Sequence, residues 1–225
     1  MRILVTAILF QVVLSSCSGE FPSSSAQHQA AESAFELEQL KRGLIEIEEW
    51  HAIQGTGLAG SLRNSVHVSL IEEAFVDNEC KPSDELKTLW SWRNGENSPS
   101  PFVWYHDFLS MEEALSEYNR LRRNPLVRWD ANYIPVFGFE GEWYAAYCNP
   151  KGGAAGPVAH FFLEDEPRIT HVNLTVFIST MAETLRSGAV SWVNGAMVED
   201  INEVYRIHQK HNPGYDFPYH VPNGT

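Results

Sequence analysis

Three apolar runs in the middle of the chain, Tyr133 to Phe139, Glu142 to Tyr147 and Val158 to Phe162, follow one another closely. Each is short, aromatic or β-branched, and bounded by turn residues, which is the pattern of β-strands. Glu140-Gly141 sits between the first two as a two-residue hairpin turn. A link that short forces antiparallel pairing, because parallel neighbours need a crossover of a dozen residues or more. The chain is therefore committed to an antiparallel meander, and its other segments must cover the faces of that sheet.

Those segments read mostly as helices. From Ala34 to Ile53, apolar residues recur at intervals of three and four: Leu37, Leu40, Leu44, Ile47, Trp50. A second helix opens near Ser69 and carries Ile71 and Phe75; Pro82 breaks the pattern. Ser83 caps a third helix with Leu86, Leu89 and Trp90 on one face, closed at Asn94-Gly95. Ser110-Met111-Glu112-Glu113 matches a capping box and starts a fourth. Phe102 to Tyr105 and Ile169 to Val172 read as further strands, Thr175 to Gly188 and Met197 to His208 as further helices, and the residues after Pro213 as an irregular tail. Helices, a meander and helices again give an α+β fold class.

The start of the chain reads as an address. Ile3 to Leu14 is an apolar run behind Arg2, too short to span a bilayer and suited to a signal peptide. Leu14-Ser15-Ser16-Cys17 resembles a bacterial lipobox, which makes Cys17 the candidate lipidated residue; a secretory signal with a chance cysteine is the alternative. The expected organisation is a signal peptide over 1–16, a flexible Ser/Ala-rich tether over 17–33, a folded domain over 34–190, and a C-terminal helix with an irregular tail over 191–225. The expected location is the cell envelope, lipid-anchored, with the outer membrane or periplasmic face favoured. Two cysteines remain, Cys80 and Cys148. In an oxidising compartment an even pair suggests a disulfide; two buried free thiols are the alternative.

The chain has 16 Lys and Arg against 29 Asp and Glu, a net charge of −13. That excess disfavours nucleic acid and electrostatic attachment to anionic lipid. It steers a basic protein partner in, or simply serves solubility. Trp92, Trp104 and Tyr105 are candidate partner-binding anchors, since Trp and Tyr dominate interface hot spots; core burial is the competing role for each.

The motifs that would carry sharper chemistry are weak. Gly55-Thr56-Gly57-Leu58-Ala59-Gly60 matches G-x-G-x-x-G, but a helical pattern precedes it where a dinucleotide site needs a strand. Lys151 to Gly156 lacks the ending of a phosphate loop. His208 and His211, with His220 or Asp216, have metal-ligand character, against a frayed helix end where His⁺ complements the dipole. Cys148 with His160 or His171 would need a free thiol. Glu164, Asp165 and Glu166 read as solvated charge. No cofactor, metal or catalytic residue is expected.

Taken in order, several segments resemble the SUKH superfamily, which includes the fungal Smi/Knr cell-wall regulators and many bacterial proteins. Leu70 to Phe75 is similar to the family's Ile-x-x-x-Glu helix, and Pro82 with Leu86, Leu89, Trp90 and Asn94-Gly95 to its Leu-Pro helix and Asn-Gly turn. Trp129 with Tyr133-Ile134-Pro135-Val136 is similar to its Trp…Trp-Ile-Pro strand, and Pro150, Gly153, Gly156 and Val158 to its Pro…Gly…Gly-x-Val. The chain departs from the family at Cys148, where an acidic residue is usual, at Tyr133 in place of a second Trp, and before Pro82, where the usual Leu is missing. The resemblance spans roughly 35–190. It implies a twisted antiparallel sheet flanked by N-terminal and C-terminal helices, and a non-enzymatic protein-binding module. The sharper form is an immunity-type protein that neutralises a toxin; a cell-wall assembly scaffold or regulator is the alternative, and a hydrolase with an unrecognised site is a third reading.

Overall fold

Glu140 and Gly141 both adopt positive φ, 41° and 96°, the backbone of a type I′ hairpin. The computed structural model describes residues 24–219 apart from Pro99, Leu126, Pro150, Gly152, Ala154 and Glu164. The signal peptide reading, the lipidation of Cys17 and the tail beyond 219 lie outside the described residues. In chain order the elements are α1 (Ser24–Gln54), α2 (Leu58–Ser61), α3 (Val68–Ala74), α4 (Asp84–Trp92), β1 (Asp107–Phe108), α5 (Met111–Arg123), β2 (Tyr133–Phe139), β3 (Glu142–Tyr147), β4 (Val158–Phe162), β5 (Arg168–His171), α6 (Leu174–Ser187), β6 (Val190–Val193), β7 (Ala196–Glu199) and α7 (Ile201–His211). The architecture is α+β. Strands β1 to β5 form one antiparallel sheet in sequence order, and β6 pairs with β7 in a second, two-stranded sheet.

The register fixes which side chains share a face. Tyr144 lies opposite Phe137 on β2 and His160 on β4, while Trp143 lies opposite Gly138 and Phe161. Alternation, with a register shift between Pro135 and Phe137 of β2, then sends Ile134, Phe137, Tyr144 and Val158 into the main core with α1, α4 and α6. It sends Tyr133, Trp143, Ala145, Ala159 and Phe161 to the opposite face, under Leu121 of α5 and beside Trp129. With both faces covered, β2 and β3 lose the alternation of burial that a one-sided sheet would show.

The helices start where their caps stand. Ser83 accepts from the Leu86 N–H, and Ser110 and Glu113 form the reciprocal capping box at the head of α5. Helix α1 packs on α6 with Gly43 at the contact, where an added Cβ would stand 2.8 Å from Ile178 Cγ2, so the missing side chain sets how close the helices come. Cys80 and Cys148 are bridged, with 5.2 Å between their Cα atoms, and both are buried.

Three expectations from sequence need correction. Helix α1 begins at Ser24, so 24–33 is helical where a flexible tether was expected; its Ala, Gln and Glu are strong helix formers. Phe102 to Tyr105 is a turn in which His106 N–H donates to Val103 O at 2.8 Å, and Trp104 takes φ 51°. Residues 190–199, expected to fall in the closing helices and tail, form the β6–β7 hairpin about Asn194-Gly195, with φ of 51° and 85°, so the last helix starts only at Ile201. The residues after Pro213 are irregular, as expected, and pack down as far as Tyr219, whose hydroxyl lies 2.8 Å from that of Tyr144. Among the described residues no helix is long and apolar enough to cross a membrane.

Candidate functional site

Helix α1 carries two adjacent apolar stripes. Leu40, Leu44 and Ile47 turn inward and are buried. Leu37 and Ile45, with Lys41 between them, turn toward α3 and α4 and remain partly in solvent; Ile45 is 48% exposed. Across from them α4 presents Lys87, Thr88, Ser91 and Trp92, one helical face, and α3 contributes Val68. These residues enclose an open groove of about 540 Å³ with a mainly apolar lining.

Trp92 is half-buried: its ring stacks on Phe108 and meets Phe102 edge-on, and the remainder lines the groove. The cations around the groove are held by acids. Lys87 Nζ lies 3.1 Å from both Glu72 and Asp84, Lys41 pairs with Glu38 at 2.7 Å, and Arg93 with Glu48 at 2.9 Å.

A second constellation lies on the sheet. Glu142 and Tyr144 share a face of β3, and His160 shares that face of β4. His160 pairs directly with Tyr144 and diagonally with Glu142, within reach of long side chains. Its Nε2–H donates to Glu142 Oε1 at 2.5 Å. The Tyr105 hydroxyl lies 3.0 Å from each oxygen of the same carboxylate. His106, delivered by the Val103–His106 turn, aims Nε2 at Glu142 Oε1 from 3.7 Å. It is fully buried between the rings of Tyr105 and Tyr144, and neither of its ring nitrogens has a hydrogen-bond partner among the described residues. Burial holds the His106 imidazole down at about 3. Burial pushes the Glu142 carboxyl up, but the bond from His160, the fields of both histidines and the Tyr105 bond outweigh it and leave it below its usual value. A cavity of about 210 Å³ opens beside Tyr105, Glu142 and His160, with Arg168 and Tyr219 on its walls.

Of the three candidate anchors, Trp92 reaches the groove. Trp104 does not: it is 4% exposed, packed on Tyr144 and Tyr219, and so is core rather than a partner anchor. Tyr105, 37% exposed, lies at the histidine cluster instead. The histidines weighed as metal ligands in the C-terminal segment do not converge. His208 Nε2 donates to Thr170 O at 2.9 Å, and His211 meets Glu183 at 2.6 Å; His220 lies outside the described residues. Cys148 is spent in the bridge to Cys80 and offers no thiolate to His160 or His171. Asp165 and Glu166 are exposed, and Glu164 lies outside the described residues.

The cluster of His106, Glu142 and His160 is hidden in the sequence because its members stand far apart in the chain. Strand alternation supplies a partial signal, since polar Glu142 and His160 fall on the face that carries core-facing Tyr144. No family model matches the chain, and no curated protein is significantly similar to it.

Proposed function

We propose that this chain is a non-enzymatic, membrane-tethered protein-binding module, and that a basic, amphipathic segment of its partner lies in the groove between α1, α3 and α4. The observation that carries this reading is the groove itself. Ile45 and Val68 leave 48% and 39% of their surface in water beside Leu37 and a half-buried Trp92, all lining one groove. Exposed apolar surface rimmed by charge marks an interaction site. The net charge of −13 favours a cationic occupant. The ordered resemblance to SUKH domains supports the same reading, and neutralisation of a basic toxin is the form of it that the resemblance implies.

The test combines anchoring with docking. Cys17→Ser is expected to release the protein from the membrane fraction and to abolish labelled-palmitate uptake. The full chain, isolated from membranes, is expected to retain one stoichiometric basic protein, and the double variant Ile45→Asp, Trp92→Ala to lose it while its circular dichroism is unchanged. Equal retention by both chains, or no stoichiometric partner, overturns the groove as the binding site.

A further inference from the structure

We propose that His106, Glu142 and His160 form a three-ligand site for a divalent transition-metal ion of the zinc type, with its fourth position open to the cavity beside Tyr105. The site shares no residue with the groove, and the proposal does not depend on the partner.

One ligand atom from each residue, two imidazole nitrogens and a carboxylate oxygen, lies within 4.8 Å of the other two. In a tetrahedral shell with bonds of about 2.0–2.2 Å, ligand atoms stand roughly 3.3 Å apart. The 3.7 Å gap between His106 Nε2 and Glu142 Oε1 is close to that already, and the 2.5 Å contact of His160 with the same oxygen opens by less than the width of an atom. Two nitrogens, one oxygen and an open position make a donor set that suits zinc and its neighbours rather than calcium or magnesium, which take oxygen shells.

The second observation is independent of the clustering. A buried polar group is ordinarily hydrogen-bonded. His106 is fully buried, both of its ring nitrogens lack partners among the described residues, and one of them points at the carboxylate. An imidazole lone pair left without a donor inside the protein is what an ion between the three side chains would satisfy. His51, another fully buried histidine, makes the contrast: its two ring nitrogens meet Thr56 Oγ1 and Phe102 O.

The surroundings fit the same assignment. Tyr105 reaches the carboxylate at 3.0 Å and stacks on His106, so it can orient two ligands at once, the outer-shell role that metal sites repeat. Tyr144 and Tyr219 wall the site with aromatic surface. Glu142, His160 and Tyr105 border the cavity, which gives the ion a path in and leaves room for a water on the fourth position.

The experiment uses the full chain, stripped with EDTA and then titrated with Zn²⁺ by calorimetry and with Co²⁺ by visible absorption. The expected result is one equivalent of Zn²⁺, displacing Co²⁺ from a site with the intense bands of four-coordinate cobalt. His160→Gln and Glu142→Gln are each expected to weaken binding by at least about 100-fold, and Tyr105→Phe by about 10-fold. His106→Phe, which fills the buried space, is expected to abolish binding; if it fails to fold, the cavity-lining His160→Gln carries the test. Imidazole nitrogen resonances of His106 and His160 are expected to shift together on adding Zn²⁺. No saturable binding to the wild-type chain, or binding that survives His160→Gln and Glu142→Gln unchanged, overturns the site.

Discussion

Oε1 of Glu85, in the first turn of α4, accepts the backbone N–H of Thr175, 90 positions later in the first turn of α6, at 2.8 Å. Its other oxygen accepts from Leu174 N–H at 3.3 Å, and Asn173 Oδ1 accepts from Val176 N–H at 2.8 Å. The amide donors that a helix leaves unpaired at its start are thus met by one distant carboxylate and one local cap. Burial pushes the Glu85 carboxyl up, and the three bonds from Thr175 and Leu174 hold it back down only in part.

Removing that carboxylate strands two buried N–H groups. Glu85→Ala is expected to destabilise the chain by about 2–3 kcal/mol, the range for losing hydrogen bonds to a charged group. Glu85→Gln keeps one acceptor oxygen and is expected to cost less than half as much. Urea unfolding of the three chains checks this; an Ala variant within 0.5 kcal/mol, on the order of a surface change, would show the contact to be incidental.

The Cys80–Cys148 bridge spans 68 positions and joins the segment before α4 to the end of β3. Closing a loop of that length is worth about 4 kcal/mol in the chain-entropy model. Cys80→Ala with Cys148→Ala is expected to lose a comparable amount. Because both cysteines are buried, dithiothreitol is expected to reduce the native chain slowly and the urea-unfolded chain at once. Equal rates of thiol release in the two states would contradict this.

The bounds of β2, β3 and β4 are legible to the residue from their apolar runs and the two-residue turn, whereas the register shift between Pro135 and Phe137 is not, because a pleat of period two alone would put Ile134 and Phe137 on opposite faces. Helix starts are legible wherever a Ser and an acidic residue stand in capping positions, as at Ser83 and Ser110. Errors arise where one signal is weighed without another. Met197 stands at helical spacing from Ile201 and Val204, yet Asn194-Gly195 between Val190–Val193 and Ala196–Glu199 is the stronger sign. Trp104 has nothing in its sequence neighbours to reveal that it turns inward. The histidine cluster needs the register of β3 against β4 and the Val103–His106 turn together, and only the first of these can be approached from periodicity.

The β6–β7 hairpin supplies its own test. Asn194 and Gly195 both hold positive φ, which Asn tolerates and Gly adopts freely. Gly195→Ala is expected to destabilise the hairpin by about 1 kcal/mol or more. Amide exchange should rise across Val190–Glu199 and stay unchanged in β2 and β3. Equal acceleration in both sheets would mean that the two-stranded sheet does not open by itself.

Acid and base are expected to weaken the fold through different residues. His51 is buried, with Nδ1 2.8 Å from Thr56 Oγ1 and Nε2 3.2 Å from Phe102 O, and burial pulls it from 6.5 down to about 4. The unfolded chain therefore holds the extra proton in this window, and stability falls as pH drops from 6.5 toward 4. Glu96 runs the other way. Burial pushes its carboxyl from 4.5 up to about 8, against the Phe108 N–H that donates to it at 2.8 Å, with the charge of Asp107 adding to the rise. Here the folded chain holds the extra proton, and stability falls as pH climbs from 4.5 to 8. One proton contributes a slope of at most about 1.4 kcal/mol per pH unit. The two contributions oppose each other between 4.5 and 6.5 and stand apart on either side. Glu96→Gln is accordingly expected to flatten the decline between pH 6.5 and 8 and, with the opposing contribution gone, to steepen the loss from pH 6.5 to 4.5 that His51 causes. His51→Gln, which keeps an amide donor for Phe102 O, is expected to lessen the loss between pH 6.5 and 4. Urea midpoints across this range for the three chains decide it: an alkaline decline that persists undiminished in Glu96→Gln would place its source in another group.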